Sequence, residues 1–199
     1  RLPSSKEVAE KLPLVDYSEV VLDDAKKTVF VGREGAMIGL GAIAKGYAVD
    51  MAMKRIVELG IKDAIVRAGG DIRVQGTDNG KPWPIGIRDP RDKKKHLARL
   101  GLTNISISTS GDYERFFIKD GVLYHHIMDP KTGYPATRSR SVTVLAPDTM
   151  TSDALSTALF VMGPAEGLGL VGRLKGIEAI FVDSQGKVHT SAGITLNRP

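Results

Sequence analysis

The chain contains no cysteine among its 199 residues. Disulfides are excluded, and with them every metal site built on thiolates. Aromatic side chains are scarce at 6%, with a single tryptophan. The one dense basic stretch, "RDPRDKKKH" (88–96), has no aromatic residue interleaved with its Lys and Arg. That argues against a stacking surface for nucleic acid. The stretch also carries Asp and Pro, and it reads as a solvated loop. No apolar run reaches the roughly 18 residues that a membrane span needs. Internal repeats and low-complexity tracts are lacking too.

What is present is ordinary globular composition: 42% hydrophobic and 26% charged residues, with a dispersed net charge of +5. The length suffices for one domain with a substantial core. A helix is expected to follow the capping Pro-Ser-Ser stretch near the start. Short apolar runs at 18–22, 27–31 and 36–40, separated by charged or Gly turns, predict antiparallel strands. Over 44–60 the period changes to that of a helix, with Ala48, Met51, Ala52, Ile56 and Leu59 on one stripe and Gly60 as the stop. A buried-type strand over 63–70 runs into a double glycine. Further strands are predicted in "DIRVQG", "WPIGIRD", "LARLGLTNISIS", "RFFIKDGVLYHHI", "SVTVLA" and "IEAIFVD". The "KDG" and "SQGK" stretches are hairpin turns. A second long helix covers 152–162 and ends at Gly163-Pro164, before a Gly-rich helix over 164–175. The pattern is α+β: antiparallel strands flanked by helices in one domain.

Three stretches hold more polar chemistry than folding requires. In "TSDALSTALF" (151–160), Ser152 is a possible helix cap and Leu155 and Leu159 face a core. Asp153 and Thr157 lie one turn apart on the same face. Either Asp153 is a first-turn acid favoured by the helix dipole beside a polar stripe, or the two are oxygen ligands of a hard cation such as Mg²⁺. In "GLGAIAKGYAVD" (39–50), glycines surround Lys45 just before a helix. This is a tight strand-to-helix turn, or a place where free amides meet an anion. Ser108, Thr109, Ser110 and Gly111 make a poor strand but a good contact for a phosphate or a ring. His125 and His126 follow at a strand end, where one must face inward and the other outward.

"LGAIAKGYAVD", "RAGGDIRVQG", "STSGDYER", "YHHIMDPKTGYPA" and "SVTVLAPDTMTSDALSTALFVMG", in this order, resemble the flavin transferases of the ApbE family. The resemblance implies a T-fold-related α+β domain that splits FAD in a Mg²⁺-dependent step. FMN would pass to a Thr or Ser hydroxyl of a target protein, and AMP would leave. It implies Asp153 and Thr157 as side-chain metal ligands, with the carbonyls of Ala42 and Ser156 completing the set. It places Lys45, Thr109, Ser110, Gly111 and the backbone of Ile127 against FAD, and gives His126 an assisting role in catalysis beside Asp153. Two departures stand out. Gly39 occupies a position where many members carry Asp. The sequence, 1–199, matches only the C-terminal two thirds of the family's catalytic unit, without the N-terminal third and its Met-Gly-Thr strand. The expected partners are FAD and an acceptor protein, with no nucleic acid. The family implies a periplasmic protein or one tethered by an N-terminal lipid anchor. Two other functions fit the same residues: a Mg²⁺-dependent FAD pyrophosphatase using water, and a flavin-binding module without turnover.

Overall fold

The strand Ser139–Ala146 (β10) is buried along nearly its whole length, as is Glu178–Asp183 (β11) beside it. A strand buried on both sides must be covered on both sides. A computed structural model, describing residues 1–92 and 94–196, shows how. β10 and β11 are central in a six-stranded antiparallel sheet in the order β12 (Val188–Thr190), β11, β10, β7 (Ile105–Gly111), β4 (Asp71–Gln75), β3 (Ala64–Ala68). One face is covered by helices α2 (Ala44–Glu58) and α3 (Thr149–Val171). Val142, Val144, Ala179 and Phe181 pack there on Leu159 and Phe160. The other face carries Val74, Ile107, Leu145 and Ile180, covered by the hairpin of β5 (Trp83–Arg88) and β6 (His96–Leu102).

Two further hairpins, β1 (Val20–Asp23) with β2 (Thr28–Val31) and β8 (Phe116–Lys119) with β9 (Val122–His125), stand outside the main sheet. The short helix α1 (Ser5–Lys11) begins in a capping box between Ser4 and Glu7, as the Pro-Ser-Ser stretch predicted. The α+β class and the antiparallel pairing follow the sequence closely. The "KDG" turn places Asp120 and Gly121 at positive φ, the conformation such a hairpin demands. α3 breaks at Gly163, whose φ of 77° is non-helical, so the predicted stop before Pro164 is present inside one long element. α3 is also long and apolar enough by composition to pass for a membrane span, but its Leu159 and Phe160 are fully buried on the sheet.

Several expectations are corrected. Residues 36–40 form no strand, and among the described residues no strand pairs with them; Met37 is 93% exposed. "LARLGLTNISIS" is two strands, turned at Asn104, which has positive φ. β3 lies at the sheet edge and is only half-buried. The basic loop spans 89–95 between β5 and β6, with Lys93 outside the described residues. The predicted stripe of α2 is rotated: Gly46, Val49 and Met53 are buried, whereas Leu59 is 63% exposed. The cause is Gly46. A Cβ there would lie 2.4 Å from the Thr149 carbonyl oxygen, so α2 presents its glycine face to α3 and the helices meet backbone to backbone.

Candidate active site

On the helical face of the sheet, β10 and β11 are apolar, but β7 and β4 are not. The period of two puts Ser106, Ser108 and Ser110 of β7 toward α3. Each meets a hydroxyl there: Ser106 with Thr149 (2.8 Å), Ser108 with Ser152 (2.7 Å), and Ser110 with Ser156 (2.8 Å) and Thr157 (3.1 Å). These paired hydroxyls explain why Ser108–Gly111 is a strand despite its poor propensity. They also correct the capping assignment. Ser152 is inside α3, and Asp148 caps it, accepting from the Thr151 amide.

The two helix starts are capped by each other. α2 has no side-chain cap of its own. Asp153 of α3 accepts the Gly46 amide at 3.0 Å, satisfying one of its free first-turn donors. In return Asp50 of α2 accepts the Thr149 and Met150 amides, all at 2.9 Å. The close approach at Gly46 makes both caps reachable.

This junction forms one wall of a cleft of about 420 Å³. Asp153 is 3% and Asp71 2% exposed, and both line it. Lys45 bridges them: its Nζ is 3.0 and 3.1 Å from the two Asp153 oxygens and 3.0 Å from Asp71 Oδ2. Asp71 Oδ2 is buried with this charge nearby but without a hydrogen-bond donor. Burial pushes the Asp71 carboxyl above the usual carboxylate range; Lys45 opposes the shift and the charge of Asp153 adds to it. Partial burial works against the Lys45 ammonium, but the neighbouring Asp153 and Asp71 carboxylates outweigh that and raise its pKa.

The cleft gathers most of the residues expected from the sequence. Ala42, Lys45, Thr109, Ser110, Gly111, His126, Ile127, Asp153 and Thr157 all line it. Ser156 does not; its buried hydroxyl is bonded to Ser110 and to the Asp153 carbonyl. Thr109 bonds Thr143 on the opposite face of the sheet, so Ser110 is the hydroxyl turned toward α3. The Ile127 amide donates to His125 Nδ1 and its carbonyl accepts from Ala136, which leaves one carbonyl lone pair for a ligand. Of the two histidines, His125 faces inward against Phe160 and His126 faces the cleft. His126 Nδ1 is 3.3 Å from the Arg115 carbonyl. A carbonyl only accepts, so Nδ1 is the donor, and in the neutral ring Nε2 is the free acceptor.

Sequence reasoning missed Asp71, which follows the double glycine and read only as the first residue of a strand. Its signal was the alternation that sets Asp71 opposite Ser108 across β4 and β7. Among the described residues no group of three His, Asp or Glu could hold a metal unaided. The site's oxygen donors are two carboxylates, a threonine hydroxyl and nearby carbonyls. With two buried carboxylates against one ammonium and an oxygen lacking a donor, this set is short of positive charge, which fits a hard divalent cation.

Fold and cleft together define an α+β domain with an anionic, glycine-walled pocket between the ends of two sheet strands, β4 and β7, and two helix starts. The ApbE family profile matches residues 1–181, and the chain belongs to that family. An FAD:protein FMN transferase of Treponema pallidum is 36% identical over 209 residues, covering 97% of this chain and 58% of the relative. One from Haemophilus influenzae is 37% identical over 83% of this chain and 50% of its own length. Among solved structures, the ApbE protein of Thermotoga maritima superposes with a TM-score of 0.88 at 42% identity, over 96% of this chain and 63% of that one. The flavin transferase ApbE of Vibrio cholerae gives 0.85 at 31% identity, over 96% and 62%. The chain thus spans between half and two thirds of the length of these relatives.

Proposed function

We propose that the cleft is the site of Mg²⁺-dependent transfer of FMN from FAD to a Thr or Ser hydroxyl of an acceptor protein, with release of AMP. The observation that carries this reading is the convergence of Lys45, Asp153, Thr157, Ser110, Gly111 and His126 from distant segments onto one cleft. Asp153, the Thr157 hydroxyl and the Ala42 carbonyl would hold the cation, with the Ser156 carbonyl completing the set. When bound, the cation neutralises pyrophosphate charge as a Lewis acid. Lys45 supplies a second positive charge for the phosphate oxygens. The Thr109–Gly111 strand end and the Ile127 carbonyl hold the dinucleotide at the end of the sheet. His126 Nε2 accepts the proton of the acceptor hydroxyl as its oxygen bonds to the FMN phosphorus. The bond between that phosphorus and the bridging oxygen breaks, and the electron pair leaves with AMP. A periplasmic location, reached through a lipid-anchored precursor, belongs to the same proposal and rests on the family alone.

The test is mass spectrometry of an acceptor protein after incubation with FAD and Mg²⁺. A gain of one FMN mass per acceptor, with equimolar AMP, is expected. Free FMN with an unmodified acceptor would make the protein a pyrophosphatase. Bound flavin with no AMP would make it a binding module.

A further inference from the structure

The Lys45 ammonium sits where a cation bound to Asp153 would compete with it. It contacts both oxygens of Asp153 at 3.0 and 3.1 Å, and Asp71 Oδ2 at 3.0 Å. Two buried carboxylates facing one cleft cannot both stay charged without a counterion. Lys45 is that counterion, and half of its side chain is exposed, on a four-carbon stem with freedom to turn. Asp71 differs from Asp153 in having one oxygen with no hydrogen-bond donor. It is the one member of the trio with an acceptor in reserve.

We propose that Lys45 is a built-in surrogate for the divalent cation, and that Asp71 is the positioning residue that receives it. In the metal-free site Lys45 bridges both carboxylates. When a divalent cation takes Asp153, the ammonium withdraws onto Asp71 and completes a hydrogen bond with the orphaned Oδ2. Asp71 therefore keeps Lys45 inside the cleft, turned toward the phosphate oxygens, instead of letting it swing into solvent. The exchange also keeps the two carboxylates neutralised before a cation arrives. The inference rests on the reading of Asp153 as a metal ligand and goes beyond it by assigning opposite roles to two residues that touch the same charge.

Those opposite roles make it testable without turnover. The probe is Mn²⁺ alone, titrated into the flavin-free protein, with the electron paramagnetic resonance signal of free Mn²⁺ as the readout. Removing the competitor in Lys45→Met should tighten Mn²⁺ binding about tenfold or more, since a unit charge within a few ångströms is lost from a partly buried site. Removing the receiving carboxylate in Asp71→Asn should weaken binding by about tenfold or more for the same reason. The double variant should return to within a few-fold of the wild type. Without metal, Lys45→Met should melt below the wild type, and Mn²⁺ should raise its Tm by more than it raises the wild type's. A salt bridge remote from the cation predicts none of these opposed shifts. Wild-type binding that disappears in Asp153→Asn but is unchanged or weaker in Lys45→Met overturns the inference and leaves the metal site standing. Absence of Mn²⁺ binding in both the wild type and Lys45→Met overturns the inference together with the metal reading.

Discussion

Replacing Gly46 by alanine should destabilise the protein, although alanine is the better helix former by about 1 kcal/mol. The added Cβ would lie 2.4 Å from the Thr149 oxygen and 2.7 Å from Thr149 C and Met150 Cα, all backbone atoms that cannot rotate away. The two helices must part by about 1 Å to restore ordinary contact. Overpacking of this kind costs roughly 1–3 kcal/mol. Parting the helices also stretches the bond from the Gly46 amide to Asp153 and those from Thr149 and Met150 to Asp50. Losing a cap costs about 1 kcal/mol. Set against the propensity gain, the net loss is about 1–3 kcal/mol, or roughly 2–12 °C in Tm for a domain of this size. Gly169 is the control, because nothing lies within 4 Å of a Cβ built there. Gly169→Ala in the same fold should gain about 0.5–1 kcal/mol. Urea unfolding of both variants measures the difference. If Gly46→Ala is as stable as the wild type, or the two substitutions act alike, the backbone-to-backbone junction and its mutual caps are wrong.

His125 carries its proton on Nε2, donated to the Ala136 carbonyl, because Nδ1 accepts from Ile127. Burial lowers its pKa, against the opposing pull of Asp112. A histidine with a depressed folded pKa contributes stability above about pH 6.5, which is lost as the pH falls and the unfolded chain protonates. Urea midpoints should therefore drop between pH 7.5 and 5.5, and His125→Gln should flatten that slope while lowering stability at pH 7.5. Burial pushes the Tyr113 phenol up to about 12. Its contribution is intact below about pH 10 and lost as the pH rises toward the folded value, since the unfolded chain ionises first. Tyr113→Phe should make alkaline unfolding shallower above pH 10, and the ultraviolet difference titration against the wild type should show a tyrosine ionising near the upper end of that range.

The parts legible in the sequence were those set by neighbours along the chain. The one-turn spacing of Asp153 and Thr157 placed both on one face of α3, and both line the cleft. The "KDG" and Gly163-Pro164 signals act through backbone conformation alone and were read correctly. What failed depended on partners distant in sequence. The stripe chosen for α2 followed hydrophobicity, whereas the helix is oriented by a glycine that lets Thr149 approach. Ser108–Gly111 lacks strand propensity but gains hydroxyl partners from α3, a tertiary override of local preference. An alternating Ser106, Ser108, Ser110 beside Thr149, Ser152, Ser156 at helical spacing was a readable hint of that seam. Residues 36–40 are apolar enough for a strand, yet apolarity supplies no pairing partner. Asp71 became a site residue only through the register of β4 on β7.

The central claim is that Asp153 and its metal dominate the chemistry in this cleft, with His126 assisting. The direct measurement compares FMN transfer to an acceptor protein by the wild type, Asp153→Ala and His126→Ala at saturating FAD and Mg²⁺. Removing a proton acceptor typically costs about 10²–10⁴-fold. The account predicts a loss within that range for His126→Ala and a larger one for Asp153→Ala, whose folded state circular dichroism should confirm. Transfer by Asp153→Ala at the wild-type rate, or a smaller loss than that of His126→Ala, would contradict it.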